Sequence, residues 1–333
     1  MRRLAGLDVA RGLALVGMLF AHFARPRIGG GDPGWLQAID NVADGRAAPL
    51  FCMLLGVGAG ILAARRGPAS VARRGAVLFV LGVAIWPLID RVYLILPHYG
   101  VLLVLAALVS KLPTKVLLPL AFVAWTVPSI GVAVVEDHGM RSADQPETYG
   151  DLLDVGSVTW QLLWSGGYPL VGWLGFALTG LWLSRLDLGD AGVQRRLVVG
   201  GAVVAATQPL IAATGSTFLD TTAHSNQLGW YVVAAATAVA LLGVCSLVAP
   251  RPSALRHLGR LALSAYLAHL VIGIHLVWPW RDRHDPSLAA QLGATVAVLG
   301  VLATAAMLWP RDRRGPVEAA TRFAAGALAG SAA

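Results

Sequence analysis

Three ionisable residues stand on the first apolar stretch of this 333-residue chain: Asp8, Arg11 and His22. A neutral imidazole can take a proton from an attacking amine or hydroxyl, or accept an acyl group itself, near neutral pH. A guanidinium can meet an anionic group through two parallel hydrogen bonds. Ionisable groups at membrane depth are costly to keep, which makes them functional candidates by default. On a helix turning about 100° per residue, Arg11 and His22 differ by roughly 20° around the axis, and Asp8 lies roughly 40° from His22 on the other side. All three share one face, with Arg11 and His22 roughly 16 Å apart along it. Asp8 and Arg11, at i and i+3, are also spaced to pair, so a salt bridge stands as the structural alternative to an anion site. For His22 the structural alternative is a hydrated polar tip at a helix end.

A second group comes late in the chain. In Gly259-Arg260-Leu261-Ala262-Leu263-Ser264-Ala265-Tyr266-Leu267-Ala268-His269, Tyr266 and His269 share a face at i and i+3. An imidazole in the middle of such a stretch serves a proton relay or an acyl path, or simply donates to a neighbouring carbonyl. His98, between Pro97 and Tyr99, is a further cavity residue near the outer third of its stretch, where Pro97 loosens a turn. Asp90-Arg91 reads as a surface pair and His224-Ser225-Asn226 as a cap and turn, with both left open as acceptor contacts. The chain has no HExxH, no phosphate-cradling glycine loop and no G-x-S-x-G elbow, which argues against soluble hydrolase and nucleotidase mechanisms. Cys52 and Cys245, each inside an apolar run, supply neither a disulfide framework nor zinc spacing, and no metal is expected.

The elements that must position these residues are membrane helices. Hydrophobic residues make up 56% of the chain and charged residues 13%, and the apolar runs recur at the length of a bilayer core. The runs predict an all-α polytopic bundle of about ten transmembrane helices, over residues 6–24, 47–64, 75–89, 93–110, 116–135, 168–184, 197–213, 229–249, 258–278 and 288–309. A net charge of +8 would point to nucleic acid in a soluble domain, but here the basic residues sit in short loops. With the N-terminus inside, most of the 26 Lys and Arg fall in inner segments, among them Arg65, Arg66, Arg73, Arg74, Arg195, Arg196, Arg313 and Arg314. That bias predicts both termini in the cytoplasm. Most of the 18 acids then fall outside, including Glu136, Asp137, Asp144, Glu147, Asp151 and Asp154, as a solvated loop or as a mouth for a polar or cationic acceptor. The Met-Arg-Arg start is read as a retained helix, because Asp8 and Arg11 interrupt the apolar run and no small-x-small site follows. Gly56 and Gly60 predict close helix approach. Trp160, Trp164 and Tyr168 read as interfacial aromatics before a span. Residues 1–323 form one transmembrane domain, and the small-residue stretch 324–333 is expected to be a short disordered tail.

Taken in order, the motifs form a pattern. The opening Arg3-x-x-x-Leu7-Asp8-x-x-Arg11-Gly12-x-Ala14 with Gly17-Met18 resembles the start of the YeiB-type bacterial membrane proteins, which are similar to the catalytic domain of heparan-α-glucosaminide N-acetyltransferase. The resemblance continues through Ala43-Asp44 before Pro49-Leu50-Phe51 and Gly56, then Tyr99-Gly100-Val101-Leu102 and Gly167-Tyr168-Pro169. It ends with Leu258-Gly259-Arg260 through Ser264-x-Tyr266-x-x-His269, and with Trp309 and Gly315-Pro316-Val317-Glu318-x-x-x-Arg322. One departure stands out: residues 24–46 hold no histidine, where the glucosaminide enzymes carry one, and His22 occupies a helix-end position where those relatives have an asparagine.

What the resemblance implies is a multi-pass acyltransferase of the cell membrane that takes an acyl group, acetyl above all, from a cytosolic acyl-CoA. The acceptor, a small molecule or glycan such as an amino sugar or another envelope component, would sit at the outer face. His22 would be the general base or acyl carrier, and Asp44 would orient it or the acceptor. Arg11, with Arg65 and Arg66, would meet the anionic donor, and a narrow cavity along the first helix would connect the two ends. Asp8, Tyr266, His269 and His98 would line that cavity. Membrane lipid is the surrounding partner, nucleic acid is not expected, and oligomerisation is open. The competing expectation is a proton-coupled secondary transporter or exporter that uses Asp8, Arg11, His22 and His269 as a relay. A non-catalytic scaffold is a third.

Overall fold

The computed structural model describes residues 4–24, 34–137, 147–165, 167–249 and 253–330. Among them all regular structure is helical and no strand occurs. The helices are α1 (Ala5–Phe23), α2 (Gly34–Arg66), α3 (Pro68–Ile85), α4 (Leu96–Val109), α5 (Thr114–Asp137), α6 (Val155–Trp160), α7 (Leu170–Leu183) and α8 (Ala191–Ala205). They continue with α9 (Gln208–Ala212), α10 (Leu228–Val248), α11 (Ala254–Arg260), α12 (Ala262–Ile272), α13 (Trp278–His284), α14 (Leu288–Leu308) and α15 (Pro316–Gly330). Short polar residues open several of them by satisfying the first free backbone donors: Asp154 accepts from Ser157 N, Asp190 from Val193 N, Ser253 from Arg256 N and Ser287 from Ala290 N.

Among the described residues, seven stretches are long and apolar enough to cross a membrane: Ala5–Phe23, Gly45–Arg66, Pro68–Leu88, Thr114–Gly131, Leu228–Val248, Ala262–His284 and Leu288–Leu308. Three of the ten expected spans fall short of that length, each at a break. The stretches expected at 93–110 and 168–184 become α4 and α7, with 14 residues apiece. At 1.5 Å per residue each reaches only about 21 Å, because the chain enters them through irregular backbone next to Pro97 and Pro169. The stretch expected at 197–213 divides into α8 and α9 around Ala206 and Thr207, just before Pro209.

In lipid the helices gain little from hydrophobicity, so close backbone contact and dispersion hold them together. The two glycines singled out on α2 do this work. A Cβ on Gly56 would lie 2.0 Å from the Ala177 carbonyl oxygen, and one on Gly60 would lie 2.0 Å from Ser184 Oγ. α1 packs against α2, α10, α11, α12 and α14, and Val9, Ala10, Leu15, Leu19 and Phe23 are buried along its length. Large apolar side chains such as Val80, Leu108, Val203 and Leu308 face outward, as a lipid-facing surface requires. The stretch from Ala324, expected as a disordered tail, continues α15 as helix through Gly330. α15 as a whole packs against α3 and α12.

Candidate functional site

At the N-terminal end of α1, Arg11 Nη1 donates to Asp8 Oδ1 at 3.1 Å. The spacing that allowed a salt bridge therefore forms one. Asp8 is almost fully buried, while the Arg11 side chain stays 28% exposed. The Arg11 guanidinium lies over α2 at Gly58, with Nη2 3.7 Å from where a Cβ would stand. Arg74 on α3 lies within electrostatic reach of Arg11, Arg314 and Glu318. Both acids near this group are engaged, Asp8 with Arg11 and Glu318 with the start of α12, so the cluster is basic in balance. Arg65 and Arg66 close α2 and are exposed.

At the other end of α1, two imidazoles meet. His22 Nδ1 lies 3.0 Å from His269 Nε2, across 247 positions of sequence. His269 is fully buried and His22 is 9% exposed. The remaining nitrogen of His269, Nδ1, faces the carbonyls of Ala265 and Tyr266 in its own helix without a hydrogen bond of ordinary geometry. Only a protonated Nδ1 suits carbonyl neighbours. That arrangement suits Nε2 of His269 to accept from His22 Nδ1–H. Tyr266 and His269 share the expected face, with ring centroids 5.2 Å apart. Phe23 sets its edge against His269 at 5.9 Å, and Trp278 Nε1 donates to the His22 carbonyl at 3.4 Å. Trp278 reaches that position through the π-helical turn Gly273–Val277, a distortion often found at functional sites.

The stripe on α1 is polar only at its ends. Leu15 and Met18 occupy the same face between Arg11 and His22, and both are buried in the apolar core. The continuous cavity expected along this face is therefore closed by side chains. Asp44 lies on α2, but its side chain is outside the described residues. His98, at the start of α4, is buried with its ring 5.8 Å from Trp86 and from Tyr168. Tyr168, read from sequence as an interfacial aromatic, instead turns inward, whereas Trp160 is exposed and pairs with Trp164 at 6.5 Å. The Tyr266 phenol is within electrostatic reach of Tyr99 and Tyr168. Asp90 and Arg91 form the expected surface pair at 3.7 Å, and Arg91 also reaches Asp282 at 2.7 Å.

The helix that carries His269 is held at its start by the chain's closing motif. α12 begins after a break at Leu261, and the Glu318 carboxylate accepts from Leu263 N at 2.8 Å, from Ser264 N at 3.2 Å and from the Ser264 hydroxyl. Val317 N donates to Ser264 Oγ at 3.1 Å. Nearby, Arg260 donates to the Trp309 carbonyl at 3.0 Å, and Trp309 Nε1 donates to the Arg314 carbonyl at 2.9 Å. A side-chain cap of this kind contributes about 1–2 kcal/mol. Glu318→Ala should lower stability by about that amount, with Glu318→Gln losing less, as read from thermal unfolding in detergent. A Glu318→Ala protein as stable as the parent would rule out the cap.

The family model for heparan-alpha-glucosaminide N-acetyltransferase, catalytic, matches residues 3–219, more than half of the chain. The chain belongs to that family. A second model, described as protein of unknown function (DUF418), matches residues 180–327. Together the two span the motifs from Arg3 to Arg322 that carried the resemblance to YeiB-type proteins. No curated protein and no solved structure matches the chain. Membership in the family, with seven helices able to span a bilayer, makes this an acetyltransferase-like membrane protein. Some features of the site were not apparent from sequence. Arg74 and Arg314 had entered only as orientation markers, and Glu318 only as part of a closing motif. The pairing of His22 with His269 has no local signature at all.

Proposed function

We propose that the protein is a multi-pass cell-membrane acyltransferase that moves an acetyl group from cytosolic acetyl-CoA to an amine or hydroxyl of a polar acceptor at the outer face. Both termini lie in the cytoplasm in this reading, and the ten apolar stretches, long and short, cross or enter the bilayer. The observation that carries it is the buried His22–His269 pair at 3.0 Å, at one end of the helix whose opposite end presents Arg11 within electrostatic reach of Arg74.

The guanidinium groups at the inner end fit a phosphate-bearing donor, since their forked donors match phosphate oxygens. Acetyl-CoA supplies the activated carbonyl and a thiolate leaving group. His22 Nε2 takes the proton from the acceptor as the new bond forms at the acetyl carbon, and returns it to the departing sulfur. His269 Nε2 accepts from His22 Nδ1–H throughout. It fixes the His22 tautomer and supports the imidazolium that forms, the part a carboxylate plays in hydrolytic triads. Leu15 and Met18 separate the inner and outer ends, and movement of these two side chains opens the way. An unbranched methionine is well suited to that. Asp44, at the outer end of α2, orients the acceptor.

The test is direct. Purified protein is incubated with radiolabelled acetyl-CoA and a glucosaminide or envelope glycan, and label is expected in the acceptor. Absence of transfer, together with no protection of the protein by coenzyme A, sinks the proposal. Flux of a small polar solute in proteoliposomes without any acyl donor would instead favour the transporter reading, against which the family match already weighs.

A further inference from the structure

A groove of about 460 Å³ opens where α3, α12 and α15 meet, a size within the roughly 300–1,000 Å³ of small-molecule sites. Val77 and Leu81 line it from α3, Leu267 from α12, and Val317, Ala320 and Thr321 from α15. Thr321 is the polar one of these, and its hydroxyl turns into the helix to donate to the Val317 carbonyl at 2.9 Å. An ordered water needs about two to four polar partners, and this lining offers neither water nor a polar ligand that many. Leu267 stands roughly 160° around α12 from His269. The groove therefore lies behind the imidazole pair and is no part of it.

The groove opens toward the surrounding bilayer. Val80, one turn from Val77 on α3, is 66% exposed, and Phe323, one turn from Ala320 on α15, is 80% exposed. The mouth is basic. Arg74, Val77 and Leu81 fall at i, i+3 and i+7 on α3 and so share one stripe, and Arg74 at its end is exposed. Across from it, Arg313 and Arg314, both exposed, stand just before Gly315 and Pro316, where α15 begins. Arg74 lies within electrostatic reach of two cations, Arg11 and Arg314, and of one carboxylate, Glu318. That carboxylate is bonded to the start of α12. An apolar slot thus ends at an excess of positive charge.

We propose that this groove seats one acyl chain of an anionic phospholipid from the surrounding bilayer, with the lipid phosphate between Arg74 and Arg314. The inference goes beyond the transfer reading and does not rest on it. Left unfilled, the lining residues forfeit dispersion contacts that a flexible chain restores. The charge at the mouth selects the head group: guanidinium forks match phosphate oxygens, a zwitterionic choline would bring its own cation against them, and basic pockets between membrane helices recognise anionic head groups in this way. A second copy of the chain is a poorer occupant, because a two-fold contact sets the same patch on both sides and would oppose these arginines to one another. A lipid held here bridges α3, α12 and α15, and so secures the helix whose Glu318 caps α12.

The test uses the full chain in detergent micelles without acyl donor, titrated with dioleoyl phosphatidylglycerol or with dioleoyl phosphatidylcholine, whose chains are the same. Native mass spectrometry counts the bound lipid, and thermal unfolding reports its effect on the fold. One phosphatidylglycerol is expected to stay bound and to raise the unfolding temperature, with phosphatidylcholine held at least about fivefold more weakly. Ala320→Trp, at an exposed position where the new ring fills the groove, should lose the bound lipid, whereas Ala319→Trp, exposed one position away, should keep it. Arg314→Ala, in the exposed turn before α15, should weaken phosphatidylglycerol about fivefold and leave phosphatidylcholine unchanged, since one arginine near a membrane surface contributes about that factor. Equal retention of the two lipids by the parent, or retention of phosphatidylglycerol unaltered by Ala320→Trp or by Arg314→Ala, overturns the proposal. A lipid-free dimer that Ala320→Trp splits would assign the face to a second copy and overturn it as well. With no acyl donor present, failure here leaves the transfer reading standing.

Discussion

Replacing His22 with Gln should lower the acetyl-transfer rate about a thousandfold, within the range that positioned general acid–base catalysis supplies. Glutamine keeps a hydrogen-bonding group beside His269 Nε2 but cannot hold a proton, so the loss reports chemistry and not packing. His269→Ala should cost less, about a hundredfold, because it removes the group that fixes the tautomer and leaves the base in place. The double variant should be no slower than His22→Gln alone, since two residues acting as one unit are not additive. Single-turnover transfer from radiolabelled acetyl-CoA to a glucosaminide, with thermal unfolding as a check on folding, measures all three. A His22→Gln protein that keeps more than about a tenth of the parent rate would remove His22 from the chemistry.

Parts of this site could be read without coordinates, and the boundary follows from the physics. Helical periodicity is local, so it placed Asp8 with Arg11 and Tyr266 with His269 on shared faces, and both pairs are in contact. Gly56 and Gly60 were likewise legible, because a missing side chain on an apolar helix has few uses other than close approach. The meeting of His22 with His269 depends on how α1 and α12 cross, and periodicity within either helix says nothing about that. The same holds for Glu318, whose partners Leu263 and Ser264 stand more than fifty positions away. The apolar residues on α1 between Arg11 and His22 were visible in the sequence as Leu15 and Met18. That they fill the face rather than flank a cavity is a matter of packing against neighbouring helices. Span lengths misled where a proline sits at an end: the apolar runs around α4 and α7 are longer than the helices they form, since hydropathy does not register where backbone becomes irregular.

Gly259→Ala should be among the most damaging single-methyl changes in the chain, at about 3 kcal/mol or more. A Cβ there would lie 1.7 Å from the Asp8 carbonyl oxygen and 2.7 Å from Gly12 N, and a Cβ on Gly12 would lie 2.1 Å from the Leu255 carbonyl oxygen. Backbone stands on both sides of the contact, so no side chain can rotate away and α11 must lift off α1. Gly200→Ala on α8 is the control: nothing lies within 4 Å of its Cβ position, and alanine in an open helix should stabilise by about 0.5–1 kcal/mol. Unfolding in detergent should therefore move in opposite directions for the same chemical change. The consequence extends to the chemistry, because α1 carries His22 and α11 leads through the break at Leu261 into the helix that carries His269. Clearing the Gly259 contact from 1.7 Å to the 3.4 Å of ordinary van der Waals approach is a larger shift than a 3.0 Å hydrogen bond can absorb. Transfer in any folded Gly259→Ala protein should fall toward the level of His269→Ala. The glycines of Arg11-Gly12 and Gly259-Arg260 thus set the separation of the two imidazoles, and a folded Gly259→Ala protein with full activity would show that the crossing is wider than described.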